Sequence, residues 1–212
     1  MDRQCNLLGL QKERSVLNRL QTGVSLIEVI IGLAVLGLLM ALGVPQYSSF
    51  MANARLRATT ESIANGLNMA RAEAVNRNTR VELVFTNEDP IAEVVDTLVP
   101  DANGANYVIR QWVATSGSFN FIEGKLGAEG SGRVDTTSVA VTSTSAQVSF
   151  TGFGALATGN PIQIRVTNPG GGACASDATP GPMRCLNINV SPGGQIRICD
   201  PKVTTAGDTR AC

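Results

Sequence analysis

Histidine is absent from all 212 residues. That removes the commonest general base, the commonest metal ligand and every Ser/His/Asp or Cys/His nucleophile arrangement together. The sequence therefore reads as that of a non-enzyme, with no catalytic residue, cofactor or metal assigned. Aromatic residues are scarce as well, at 4%, and Trp112 is the single tryptophan. The core must be filled mainly by Val, Ile, Leu and Ala, and the Val- and Thr-rich C-terminal part points to strands. There is no charge excess, because Lys plus Arg and Asp plus Glu are both 17. Net charge alone thus calls for neither nucleic acid nor an acidic surface as partner. At this length, one ordinary domain plus a membrane segment is expected, and two large domains are not.

What is present is unevenly placed. Residues 1–23 hold Arg3, Lys12, Arg14 and Arg19 against Asp2 and Glu13, so a chain starting at residue 24 has 13 basic and 15 acidic side chains. An apolar run then starts abruptly: Val24 to Val44 is 21 residues with one ionisable group, Glu28. As a helix rising ~1.5 Å per residue it spans about 30 Å, the depth of a bilayer core. The basic start keeps residues 1–23 in the cytoplasm and sends the rest outward. A secretory signal peptide is the alternative, but its apolar core is roughly 7 to 15 residues and ends at a small-residue site. This run is longer and continues past Pro45 into a helical pattern.

Tyr47, Phe50, Met51 and Ala54 begin an apolar stripe that Leu56, Ile63, Leu67, Ala70 and Ala74 continue at spacings of three, four and seven. One long helix is expected, kinked near Pro45, whose ring removes a donor and crowds the preceding turn. The Leu56 to Ala74 face should dock on the head, with Arg57, Glu61, Asn65 and Asn68 outside, and Glu73 and Arg77 can pair one turn apart. After Asn76 to Thr79 the period becomes strand-like. Candidate strands are 81–85, 107–114, 119–122, 146–150, 162–167, 185–190 and 195–199, joined by Gly- and Pro-rich connections that are densest over 168–182. The Ser- and Thr-rich stretch 130–144 fits either a solvated strand or a loop. The fold class is α+β: a long N-terminal helix packed on an antiparallel β-sheet head. Its divisions are a leader (1–23), a transmembrane or assembly half-helix (24–44), an amphipathic half-helix (45–79) and a β-rich head (80–212).

Five cysteines are present. Cys5 lies before the apolar run, and Cys174, Cys185, Cys199 and Cys212 lie near the C-terminus. Four cysteines in an exported domain fit two disulfides with three possible connectivities, and their spacings lack the close pairs of a zinc site. The pairings Cys174 with Cys185 and Cys199 with Cys212 need the shortest loops.

The segment Gly23-Val24-Ser25-Leu26-Ile27-Glu28-Val29 resembles the processing site of type IV prepilins and type II secretion pseudopilins. A charged leader ends in Gly23, an apolar residue follows, and Glu28 and Pro45 become the fifth and twenty-second residues of the mature chain. Val24 stands where phenylalanine is common, and it keeps an apolar terminus. The resemblance implies cleavage after Gly23 and N-methylation of Val24 by a prepilin peptidase. It also implies a single-pass inner-membrane subunit with a periplasmic head, which then joins other pilins or pseudopilins through the helix. A carboxylate in apolar surroundings needs a partner, and in that family the glutamate neutralises the terminal ammonium of an adjoining subunit. The resemblance gives Glu28 this task. The plain alternative is a carboxylate that snorkels toward the headgroups.

Ala70-Arg71-Ala72-Glu73-Ala74-Val75-Asn76-Arg77-Asn78 and the following strand resemble the GspH/FimT branch of minor pilins and pseudopilins. Phe150-Thr151-Gly152-Phe153-Gly154 and Ile162 to Val166 fit that branch more loosely. The resemblance implies a low-abundance subunit that helps initiate or cap a fibre. The tail Ser191 to Pro201 resembles that of FimT-like subunits, some of which bind DNA through a Gly-Arg-x-Arg motif. Here Gln195 replaces the first arginine, leaving Arg197 with Lys202 and Arg210 nearby. Two readings of Arg197 stand: a DNA contact for natural transformation, weakened by each missing cation, or a charge that guards an exposed strand edge. A membrane-anchored adhesin or enzyme, which would not need cleavage after Gly23, is the remaining class.

Overall fold

The computed structural model describes residues 23–127, 139–175 and 180–212, and within them the side chains of 42–46 are left out. The leader 1–22, the Pro45 ring with its expected kink, and most of the 130–144 stretch lie outside this description. The chain divides after Val44 into two units, Met1–Val44 and Pro45–Cys212.

Helix α1 runs from Leu26 to Arg77. Its entry is set by Ser25, an N-cap residue type, whose carbonyl accepts from Glu28 N at 3.0 Å and Val29 N at 3.2 Å. Its exit is a Schellman turn. Asn78 takes the left-handed conformation at φ 48, Asn78 N donates to Val75 O and Thr79 N to Ala74 O, so two carbonyls that the helix leaves open are satisfied.

Eight strands follow: β1 (Val81–Thr86), β2 (Asn106–Val113), β3 (Ser118–Lys125), β4 (Ala140–Ser143), β5 (Gln147–Phe150), β6 (Ile162–Thr167), β7 (Leu186–Val190) and β8 (Ile196–Cys199). They form two four-stranded sheets rather than one, in the orders β3-β2-β1-β5 and β4-β6-β7-β8. All named pairings are antiparallel. Strand β4 resolves the ambiguity of the Ser/Thr-rich stretch in its final third. Val141 and Ser143 are buried while Thr142 is exposed, the alternation of a strand with one face on the core.

Leu56, Ile63, Leu67, Ala70 and Ala74 are all buried, and they share one cluster with Leu83, Phe85 and Ile109 of the first sheet and Ile164 and Ile188 of the second. Arg57, Glu61, Asn65 and Asn68 lie outside. The docking face is the expected one and starts at Leu56, while Tyr47, Phe50 and Ala54, earlier on the apolar stripe, are exposed. On the outer face of the first sheet, Val84 and Val108 meet Val95 and Leu98 of the β1–β2 connection and form a second, smaller core. The loop at 151–154 sits on the end of the helix, where a Cβ on Gly152 would lie 2.8 Å from Asn78 Oδ1. Gly154 and Gly194 both have positive φ, and a Cβ on Gly194 would lie 1.8 Å from Gly154 O. Gly152, Gly154 and Gly194 are thus required by close approach.

Candidate functional site

Gly23, Val24 and Ser25 precede the helix in non-helical backbone. The Gly23–Val24 peptide bond therefore lies in open chain, with Val24 70% exposed, and a Cβ on Gly23 would meet nothing within 4 Å. Glu28 stands in the first turn of α1, where the positive end of the helix dipole favours a carboxylate. Around it Leu26, Ile27, Val29, Ile30, Ile31 and the apolar residues up to Met40 are exposed in the single chain. An apolar helix without cover in water calls for lipid or other protein around it. Among the described residues no helix is long and apolar enough to cross a membrane. The described apolar side chains end at Ala41, whereas the sequence run continues to Val44, within the stretch 42–46.

At the other end of the chain two disulfides are present. Cys174–Cys185 has a Cα separation of 5.5 Å and Cys199–Cys212 one of 5.1 Å. The first holds the base of the 168–182 connection, and Asn168 helps from within by accepting from Gly171 N at 3.1 Å. The second ties the final residue to edge strand β8. Arg184 pairs with Asp200 beside it. Among the described residues no group of His, Cys, Asp or Glu side chains could hold a metal.

The three cations of the tail are used in different ways. Arg197 projects from β8 and its Nη2 donates to Thr209 O at 2.8 Å and Ala211 O at 2.7 Å, pinning the last residues against the strand. Arg210 pairs with Asp208 at 2.8 Å. That guanidinium holds the Asp208 carboxyl down at about 2, chiefly through the side-chain hydrogen bond. Lys202 is exposed. The grouping read from sequence as a DNA contact is in large part a set of tail clamps, and two of its three cations are committed to groups of the tail itself. Distant carbonyls such as those of residues 209 and 211 leave no mark in a local motif.

One polar cluster escaped the sequence reading. Glu82 in β1 and Arg110 in β2 stand opposite each other in register and pair at 2.8 Å with both side chains almost fully buried. Arg110 Nη1 also donates to Val95 O at 2.8 Å, and Ser149 Oγ donates to Glu82 Oε2 at 3.2 Å. The available signal was a pair of opposite charges, each inside an apolar strand, in Val81-Glu82-Leu83 and Ile109-Arg110-Gln111.

Comparison with known proteins adds the following. The family model described as type II transport protein GspH matches residues 59–194, and the prokaryotic N-terminal methylation motif matches residues 18–44. Among solved structures, the type IV minor pilin FimU of Pseudomonas aeruginosa is similar at TM-score 0.47 and 17% identity, covering 70% of this chain and 91% of that one. The minor pseudopilin EpsH from the type 2 secretion system of Vibrio cholerae is similar at TM-score 0.45 and 9% identity, covering 70% and 99%. No curated protein matches.

Proposed function

Because this chain belongs to the GspH family of type II transport proteins and carries the prokaryotic N-terminal methylation motif, we propose that it is the precursor of a minor pilin-like subunit. A prepilin peptidase cleaves it after Gly23 and methylates the new amino group of Val24. The mature chain waits in the inner membrane with its head in the periplasm, and then enters a type IV pilus or type II secretion pseudopilus, where it helps initiate or cap the fibre.

One observation carries this reading: the methylation motif spans the point at which open, exposed backbone gives way to an uncovered apolar helix with a single carboxylate in its first turn. Cleavage there creates an ammonium close in sequence to Glu28. In an apolar fibre core each of these charges is costly alone and acceptable as a pair between subunits. The chemistry of bond cleavage belongs to the peptidase, and the subunit's task is assembly.

The test is incorporation. Glu28→Ala should be processed yet fail to enter the fibre in competition with wild type, whereas Glu28→Asp, which keeps the charge, should enter in part. Equal incorporation of Glu28→Ala would remove the assembly role from this carboxylate.

A further inference from the structure

The outer face of the first sheet is covered by the β1–β2 connection only in part. Where that cover ends, a groove of about 560 Å³ opens beside the exit of the helix, lined by Arg80, Glu82, Arg110, Trp112, Phe119 and Gln147 among others. Its parts are held firmly. The Schellman turn at Asn78 fixes the backbone two residues before Arg80. Arg110 is buried under Phe119, with its guanidinium carbon 3.7 Å from the ring centroid, and Phe119 in turn meets Trp112 edge-on at 5.0 Å between centroids. Trp112 nevertheless stays 46% exposed. A large, rigid aromatic surface thus forms one wall and is left partly exposed among the described residues.

The charges of the groove are unequal. Both oxygens of Glu82 are engaged, one by Arg110 and one by Ser149, so this carboxylate is answered from within. Arg80 uses Nη2 on Ser149 Oγ at 2.9 Å and stands 3.8 Å from Glu82 Oε2. Its side chain remains 59% exposed, and among the described residues its Nε and Nη1 have no hydrogen-bond partner. The groove is therefore apolar on one side and carries one available guanidinium on the other.

We propose that this groove docks an extended acidic segment of a partner protein, placing an apolar side chain on Trp112 and an adjoining carboxylate on Arg80. One guanidinium suits one carboxylate, in a charge-assisted pair. A nucleic-acid backbone would need several cations in a row, and a small free dicarboxylate would leave the aromatic wall bare. The role is separate from that of the N-terminal helix, so it holds for a subunit that has not assembled.

Trp112 is the only tryptophan in the chain, and its emission reports the groove directly. The full-length protein in nonionic detergent micelles is titrated with the acetylated and amidated pentapeptide Gly-Asp-Phe-Asp-Gly. The comparison ligands are Gly-Lys-Phe-Lys-Gly, succinate and a short DNA duplex. The acidic peptide should give a saturable change in emission. The lysine peptide should bind at least tenfold more weakly, and so should the acidic peptide to Arg80→Gln, a variant that can keep the bond to Ser149. Calorimetry on Trp112→Phe should show a several-fold loss while Arg57→Gln, on the far exposed face, shows none. No saturable change, equal affinity for the lysine peptide, or an undiminished response in Arg80→Gln would overturn the proposal. Tighter binding of succinate or duplex would reassign the groove to small carboxylates or to phosphate and overturn it equally. Should Arg80→Gln lose its circular dichroism, the comparison of the two peptides on the native chain decides.

Discussion

Among individual residues, the charged pairs differ sharply in what they can contribute. Arg110 and Glu82 are almost fully buried, so removing Arg110 leaves the Glu82 charge with only the Ser149 hydroxyl and the more distant, exposed Arg80 to answer it. Arg110→Ala should cost about 3 to 5 kcal/mol of stability by the usual experience with such pairs. Chemical denaturation measures this, and a loss under about 1 kcal/mol would mean that Ser149 and Arg80 suffice for Glu82. Asp208 and Arg210 lie at the surface, and their pair is a local clamp. Because the folded-state carboxyl is lowered from 3.8 to about 2, the contribution of this pair is complete above the ordinary value and disappears as the pH falls through about 2. Asp208 should therefore titrate near 2 in a carboxyl carbon NMR experiment and return toward 3.8 in Arg210→Ala. A titration near 4 in the native chain would show that the clamp does not form in solution.

At the scale of elements, the helix and the strands were legible where period and burial agree. Leu56, Ile63, Leu67, Ala70 and Ala74 announce their face by spacing alone, and the β6 span Ile162–Thr167 alternates buried and exposed residues along its length. The division of strands between two sheets was not legible, because pairings such as β1 with β5 join segments far apart in the chain and alternation carries no information on partners. Tyr47 and Phe50 stand on the same apolar stripe ahead of the docking face and are exposed. The Glu82–Arg110 groove was hidden in the same way, since its walls come from four strands and the turn that follows the helix. The tail is an element of its own, a segment of 14 residues from Cys199 to Cys212 closed by a disulfide. Chain entropy assigns such a closure about 3 kcal/mol. The double variant Cys199→Ser, Cys212→Ser should lose roughly that amount in thermal or denaturant unfolding while keeping the two sheets. An unchanged midpoint would show that the Arg197 bonds to the carbonyls of Thr209 and Ala211 hold the tail alone.

For the whole molecule, the two ends serve different purposes. The N-terminal unit exposes apolar side chains that water does not tolerate over such a length, and the head closes itself with two cores and two disulfides. Disulfides belong to an oxidising compartment, and the methylation motif covers the start of the apolar helix. The proposed cleavage after Gly23 would reconcile these ends. It would remove the basic residues of 1–23, leave four cysteines, all of them paired, and supply the ammonium that Glu28 is proposed to meet in an assembled fibre. The intact mass of the subunit, taken from fibres of the native host, tests all three at once. The expected species comprises residues 24–212 with one added methyl group and four oxidised cysteines, and assembled subunits that still carry residues 1–23 would contradict it.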